Sequence, residues 1–134
     1  MLINQKISQY IDTLTDQYLG IKSIWLIGSR ANDSYRDDSD WDLFAFADQH
    51  IFDKLKGSRP YTRDKIDLLV VFDGEHFEEP WPDEKGAKEG TLTTWEWNEI
   101  SPKEARYKSV KYKRAEKFKS NIDCKILKAF KLWP

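Results

Sequence analysis

The chain has 134 residues but contains one cysteine, one methionine and two histidines. Cys124 has no second cysteine with which to form an intramolecular disulfide, and its isolation also excludes a cysteine-rich zinc site. His50 and His76 show no metal-ligand spacing, and neither stands in an obvious position to activate a catalytic thiol. These scarcities exclude disulfide-stapled proteins and zinc proteins of the Cys/His type.

Long apolar runs are also absent. No stretch approaches the roughly 20 apolar residues that a bilayer-spanning helix needs, and the N-terminal sequence MLINQKISQYID has no signal-peptide pattern. We therefore expect a cytoplasmic protein without a membrane partner. The hydrophobic content of 40% argues against disorder, and the length suits a single folded domain over residues 1–134.

The net charge of −1 conceals a division of the chain. Residues 1–100 contain 11 Lys and Arg against 20 Asp and Glu, a balance of −9, whereas residues 101–134 contain 11 against 3, a balance of +8. A basic C-terminal segment can bind nucleic acid, an acidic protein or the triphosphate of a nucleotide. It is also typical of an ordinary solvated helix surface, which we favour.

Apolar periodicity and turn residues predict alternating helices and strands. Trp95 and Trp97 are expected to pack into the core, in preference to forming a platform for base stacking. We predict an α/β protein with a small, mixed, mainly antiparallel sheet and packed helices. The predicted elements are a helix from Ile3 to Tyr18, strands at 21–27, 41–47, 65–72 and 91–100, a short helix at 30–36, a short helix or loop at 48–57, an irregular loop at 75–90, a helix from 101 to about 120, and a last helix beyond 122.

The segment from 24 to 44, IWLIGSRANDSYRDDSDWDLF, holds the main candidate site. Side chains two apart on an extended segment point to one face, about 6.6–6.8 Å apart along the strand, so Asp40 and Asp42 should converge. Mg²⁺ prefers oxygen ligands and commonly combines one or two carboxylates with substrate phosphates. Gly28 allows a tight turn, and Ser29 offers a hydroxyl group and an N–H to a phosphate oxygen. The segment therefore predicts a site for a metal and a nucleotide.

This arrangement resembles the signature of the nucleotidyltransferase superfamily related to DNA polymerase beta, and the short chain resembles the minimal nucleotidyltransferases. The motif runs Gly28-Ser29-Arg30-Ala31 and then, after the spacing that the family shows, Ser39-Asp40-Trp41-Asp42-Leu43. The likeness covers about residues 21–72. It implies the family's three-stranded catalytic palm and a third acid on a later strand. Asp67, within KIDLLVVF, is preferred for that acid over Asp64, which lies before the apolar run.

The resemblance also implies roles for these residues. Asp40, Asp42 and Asp67 would bind two Mg²⁺ ions and carry catalysis, with Asp67 acting as base toward the acceptor hydroxyl. Gly28, Ser29 and Arg30 would bind the nucleoside triphosphate, for which ATP is expected. The implied reaction transfers a nucleoside monophosphate to a hydroxyl group of a protein or small molecule.

The resemblance suggests partners as well. Many small members of this family are similar to the antitoxin of a toxin–antitoxin pair that modifies a tyrosine of a HEPN-like toxin, and a homodimer is another option. Asn32-Asp33 departs from the commonest form of the nucleotide loop.

Two other functions stay open. A non-catalytic module could use the basic segment 101–134 and exposed aromatic residues to grip a protein or RNA. A small-molecule resistance enzyme resembling aminoglycoside adenylyltransferases would need a second domain, or a dimer, to wall its acceptor site.

Overall fold

The chain folds around one large sheet that curls into a half-barrel, seen in a computed structural model. The structure describes residues 4–58, 65–82, 84, 86–108 and 126–134. Within these residues the sheet has eight strands and carries two helices of two or more turns. The elements in chain order are α1 (Gln5–Gln17), β1 (Ser23–Ile27), a 3₁₀ turn (Ser29–Ala31), β2 (Trp41–Phe46), α2 (Gln49–Gly57), β3 (Ile66–Val71), β4 (His76–Glu78), β5 (Glu89–Thr91), α3 (Leu92–Trp95), β6 (Asn98–Ser101), β7 (Glu104–Lys108) and β8 (Ile126–Trp133).

The strand order in the sheet is β5-β4-β3-β2-β1-β8-β7-β6. Only β2 and β3 pair in parallel among the described strands, and every other neighbouring pair is antiparallel. A parallel pair needs a crossover connection, which α2 provides here. The last strand, β8, pairs directly with the first strand, β1.

Both long helices cover one face of the sheet. The side chain of Asn4 caps α1 by accepting from the N–H of Ile7 at 3.0 Å, and Asp48 caps α2 in the same way. Each helix buries an apolar stripe, at Ile7, Tyr10, Ile11 and Leu14 in α1 and at Ile51, Phe52 and Leu55 in α2. These stripes form one core with the inward residues of β1, β2 and β3.

The opposite face, here called the aromatic face, holds a second core built by strand alternation. Its buried residues are Trp25, Ile27, Phe44, Val71, Phe77, Ala105, Tyr107 and Ala129. Trp95 and Trp97 pack against them, with the Trp97 ring 5.3 Å from that of Trp25. The expectation that these two tryptophans belong to a core is therefore confirmed.

The predicted fold class, an α/β palm of a small sheet with packed helices, is wrong because the sheet dominates the protein. The error arose in the C-terminal half. The region predicted as an irregular loop contains β4 and β5, and the predicted strand over 91–100 divides into α3 and β6. The segments predicted as basic helices contain β7 and β8 where the structure describes them. Residues 109–125, which carry much of the basic charge, lie outside the described residues.

One further element differs from expectation. The predicted helix over 30–36 is only the 3₁₀ turn Ser29–Ala31, so it offers no helix N-terminus to a phosphate. No helix within the described ranges is long and apolar enough to cross a membrane.

Candidate functional site

Two carboxylates meet at the parallel strand pair. Asp42 in β2 and Asp67 in β3 are direct partners in the register of these strands. Their alternate neighbours Phe44 and Leu69 belong to the aromatic face, and side chains two apart share a face. Both carboxyl groups therefore project onto the aromatic face at the same level of the sheet, close enough for the charge of Asp67 to raise the pKa of Asp42.

Asp40 completes the cluster from outside the sheet. It precedes β2, is exposed, and its negative charge contributes to raising the pKa of Asp67. The structure thus places Asp42 and Asp67 side by side with Asp40 near them, but the three do not form a group close enough to hold an ion by themselves. Asp64, the competing candidate, lies outside the described residues.

The cluster is electrostatically costly. Burial, with the negative charge of Asp67 next in importance, raises the pKa of Asp42 to about 7. The pKa of Asp67 is also raised, mainly by burial and with a contribution from Asp40. The ammonium group of Lys88, 4.0 Å from Oδ2 of Asp67, opposes both shifts but remains largely in solvent. A proton or a cation is needed to offset the charge of this cluster.

Gly28 sits directly against Asp42. Its backbone has φ 76° and ψ −158°, a conformation that is essentially restricted to glycine. A Cβ atom at this position would lie 2.4 Å from Oδ2 of Asp42. Only glycine therefore allows the turn after β1 to approach the carboxylate. Gly28 was predicted to bind the nucleoside triphosphate. In the structure its backbone N–H donates to the Tyr107 hydroxyl at 2.8 Å.

Ser29 and Arg30 follow Gly28 directly, in the 3₁₀ turn. The Arg30 guanidinium lies over the rings of Tyr35 and Trp41, at 4.5 and 4.6 Å. It also donates to the carbonyl groups of Asp37 and Ser39, at 3.1 Å each. The structure therefore engages Arg30 in holding the 32–40 loop, and it is not among the residues that line the cavity described below.

Asn32, the departure from the family loop, has a structural role. Its side chain donates to the carbonyl groups of Gly28 and Lys128, at 2.8 and 3.1 Å, and accepts from the N–H of Lys128 at 2.8 Å. The amide thus pairs with the backbone of β8 and ties the turn after β1 to the C-terminal strand.

Replacing this residue should loosen that connection. We expect Asn32→Ala to lower the free energy of unfolding by about 1–3 kcal/mol, because three hydrogen bonds are lost, one part-buried to Gly28 and two to the exposed backbone of Lys128. Urea unfolding would measure the change, with Asn98→Ala, at an exposed position of β6, as the matched control. Equal stability of the two variants would contradict this role.

A cavity of about 250 Å³ opens beside the carboxylates on the aromatic face. Asp42, Asp67 and Gly28 contribute to its wall, together with eight residues that the sequence did not single out for this site. These are Ile27, Leu69, Phe77, Glu79, Lys88, Trp95, Tyr107 and Leu127. Most of them lie in segments predicted as a loop or as helices, so no local sequence signal pointed to them.

The carboxylates of this site are its candidate metal ligands. No group of three or more His, Cys, Asp or Glu side chains in the described part of the chain is arranged closely enough to hold an ion by itself. The pair Asp42 and Asp67 nevertheless fits Mg²⁺, which is usually bound by one or two carboxylates while the substrate phosphates complete its shell. Burial, followed by neighbouring negative charge, raises the pKa values of both groups, and such an ion would offset that charge.

Neither the family models, nor the curated proteins, nor the solved structures contain a match to this chain.

Proposed function

We propose that this protein is an enzyme that transfers a nucleoside monophosphate from a nucleoside triphosphate, ATP in the first instance, to a hydroxyl group of an acceptor, with Mg²⁺. One observation carries the proposal. Asp42 and Asp67 stand side by side on the aromatic face, with Asp40 near them, and are approached by the Gly28 turn. Structural carboxylates are rarely gathered in this way, because their mutual repulsion lowers stability without benefit to the fold.

Asp42 and Asp67 would hold the metal, with Asp40 beside them. Bound there with the triphosphate, Mg²⁺ would neutralise charge on the reacting phosphate oxygens. Ser29, at the turn beside Gly28, is assigned to the phosphates. Lys88 is the nearest cation to the cluster among the cavity residues, and its mostly exposed ammonium group can attract the polyphosphate from solvent.

The chemical step is a displacement at the α-phosphorus. The acceptor oxygen forms a bond to that phosphorus while the bond to the oxygen that bridges the α- and β-phosphates breaks, and the electron pair leaves with pyrophosphate. Asp67 accepts the hydroxyl proton and releases it to water. The products are the acceptor phosphodiester, pyrophosphate and one proton.

Labelled transfer tests the proposal. ATP labelled at the α-phosphate would be incubated with the protein and a pool of hydroxyl compounds, with Mg²⁺ or with EDTA. We expect label to move only with Mg²⁺, and Asp67→Asn to reduce its transfer by about 100-fold or more, since the proton acceptor is lost. Asp16→Asn, an exposed position at the end of α1, is the matched control. Transfer that persists in EDTA or in Asp67→Asn would refute the proposal.

The HEPN-like partner that the resemblance suggests stays a prediction, and binding of nucleic acid by the basic segment stays the less favoured alternative to a solvated surface. Much of that segment, 109–125, is outside the described residues.

A further inference from the structure

The cavity on the aromatic face is a candidate for a second ligand beside the nucleotide. We infer that it binds the acceptor of the transfer proposed above, a small organic molecule that is neutral or cationic and presents a hydroxyl group to Asp42 and Asp67. The inference rests on the proposed function. It also removes the need for a second domain, because β7, β8 and α3 supply the wall through Tyr107, Leu127 and Trp95.

The size of the cavity limits the ligand. A volume of about 250 Å³ equals the share of liquid volume taken by about eight water molecules. Pockets for drug-sized ligands are larger, about 300–1,000 Å³. The cavity therefore suits a single ring or a compact chain with a few substituents, whereas a whole nucleoside triphosphate exceeds it.

The charges around the cavity determine the class of ligand. Three carboxyl groups, those of Asp42, Asp67 and Glu79, face one cation, Lys88. The side chain of Lys88 is 60% exposed, so it lies toward the rim. The Gly28 N–H, a possible anion donor at the base of the turn, is already bonded to Tyr107. The interior therefore repels anions and accepts neutral or cationic groups.

Trp95 supplies an aromatic surface in the wall. Phe44 stacks on its ring at 5.5 Å and Tyr107 at 5.2 Å, with interplanar angles of 11° and 17°. The indole N–H is buried and has no acceptor among the described residues. Because this nitrogen exposes almost no surface, a ligand in the cavity would meet Trp95 as an apolar wall.

Tryptophan variants separate this role from a purely structural one. Trp81 is a matched residue on the helix face, where its indole N–H donates to the carbonyl of Leu55 at 2.7 Å. Trp81→Phe breaks a satisfied hydrogen bond, so its urea midpoint should fall. Trp95→Phe removes part of a ring that packs against Phe44 and Tyr107, so its midpoint should fall as well, and only the binding of a ligand should distinguish the two variants.

Probe binding tests the inference with the full chain. The probe is 4-hydroxybenzamide, which is neutral and has a hydroxyl group at one end and a carbonyl at the other, titrated by ligand-observed NMR. Its analogue 4-hydroxybenzoate has the same shape and a negative charge. We expect the amide to bind in the millimolar range, the benzoate about tenfold more weakly or worse, and Trp95→Phe to weaken the amide by about two- to tenfold. Trp81→Phe should bind the amide normally, and the cavity-filling Leu127→Trp should not bind it.

Four results would overturn the inference: no binding of the amide, equal binding of the benzoate, unchanged binding in Trp95→Phe, or displacement of the amide by ATP with Mg²⁺. The last would assign the cavity to the nucleoside. Calorimetric titration of ATP with Mg²⁺ reports on the proposed function separately, because its failure would refute nucleotide use while leaving the probe result standing.

Discussion

Asp42→Asn is expected to abolish transfer and, at the same time, to stabilise the metal-free protein. Loss of the buried carboxylate removes charge stabilisation worth several kcal/mol in the transition state, so transfer should fall about 1,000-fold or more. Stability should change in the opposite direction. The pKa of Asp42 is raised to about 7, so the folded state takes up a proton more readily than the unfolded chain and loses stability as pH rises from about 4 through 7.

The stability gained by Asp42→Asn should depend on pH. At pH 8 the wild-type carboxylate is charged beside Asp67 and Asp40, with Lys88 opposing among the residues that the structure describes, and an amide there carries no charge. After allowance for partial solvent exposure, we expect Asp42→Asn to gain about 1–2 kcal/mol at pH 8 in EDTA. At pH 5 the folded wild type is already protonated, so the gain should shrink.

Urea unfolding at both pH values measures this effect, with Asp16→Asn as the control that should change neither value. A variant that is less stable than wild type at pH 8 would show that Asp42 is retained for the fold. A variant that is more stable but inactive would show that the carboxylate is retained for function, at a cost to stability.

Gly28→Ala is expected to disrupt both the fold and the site. The backbone at Gly28 adopts a conformation that is essentially limited to glycine, and a new Cβ atom would lie 2.4 Å from Oδ2 of Asp42. Either the turn or the carboxylate must move. We expect the free energy of unfolding to fall by about 2–4 kcal/mol and transfer to be lost.

Gly74→Ala is a matched control for this prediction. Gly74 also has a positive φ, 82°, but a Cβ atom there would meet no other atom within 4 Å. It therefore reports the cost of backbone strain alone, and Gly28→Ala should exceed it. In the double variant Gly28→Ala/Asp42→Ala the nearest remaining contact would be the Asp42 Cβ at 3.3 Å, so part of the loss should be recovered. Equal costs at the two glycines would contradict close packing of the turn on Asp42.

The N-terminal half could be predicted because its signals are local. The apolar stripe of α1 and the alternation in β2 and β3 specify both the element and its buried face. The pairing of β2 with β3, which the sequence did not specify, placed Asp42 and Asp67 side by side on the face opposite to the helices. The predicted boundaries of α1, β1, β2 and β3 differ from the observed ones by a few residues at most.

The C-terminal half could not be predicted in this way. In β8, Leu127 and Ala129 face the aromatic core while Phe130 and Leu132 pack on the helix side. The spacing of Ile126, Leu127 and Phe130 fits a helix equally well, and only pairing with β1 and β7 resolves the ambiguity. β1 lies far from β8 in the sequence, so no local window contains the contacts that decide between helix and strand.

By itself, the sequence determined the chemical groups of the candidate site and their order: a glycine turn, one acid just before β2 and one within it, and a third acid in β3. The tertiary structure decided what faces them. Tyr107 bonds to Gly28 from 79 residues away, and Trp95 and Leu127 close the cavity from elements that no local pattern placed there. The physical reason is that side-chain type is local, whereas the walls of a cavity depend on strand register, which is set by the packing of the whole sheet.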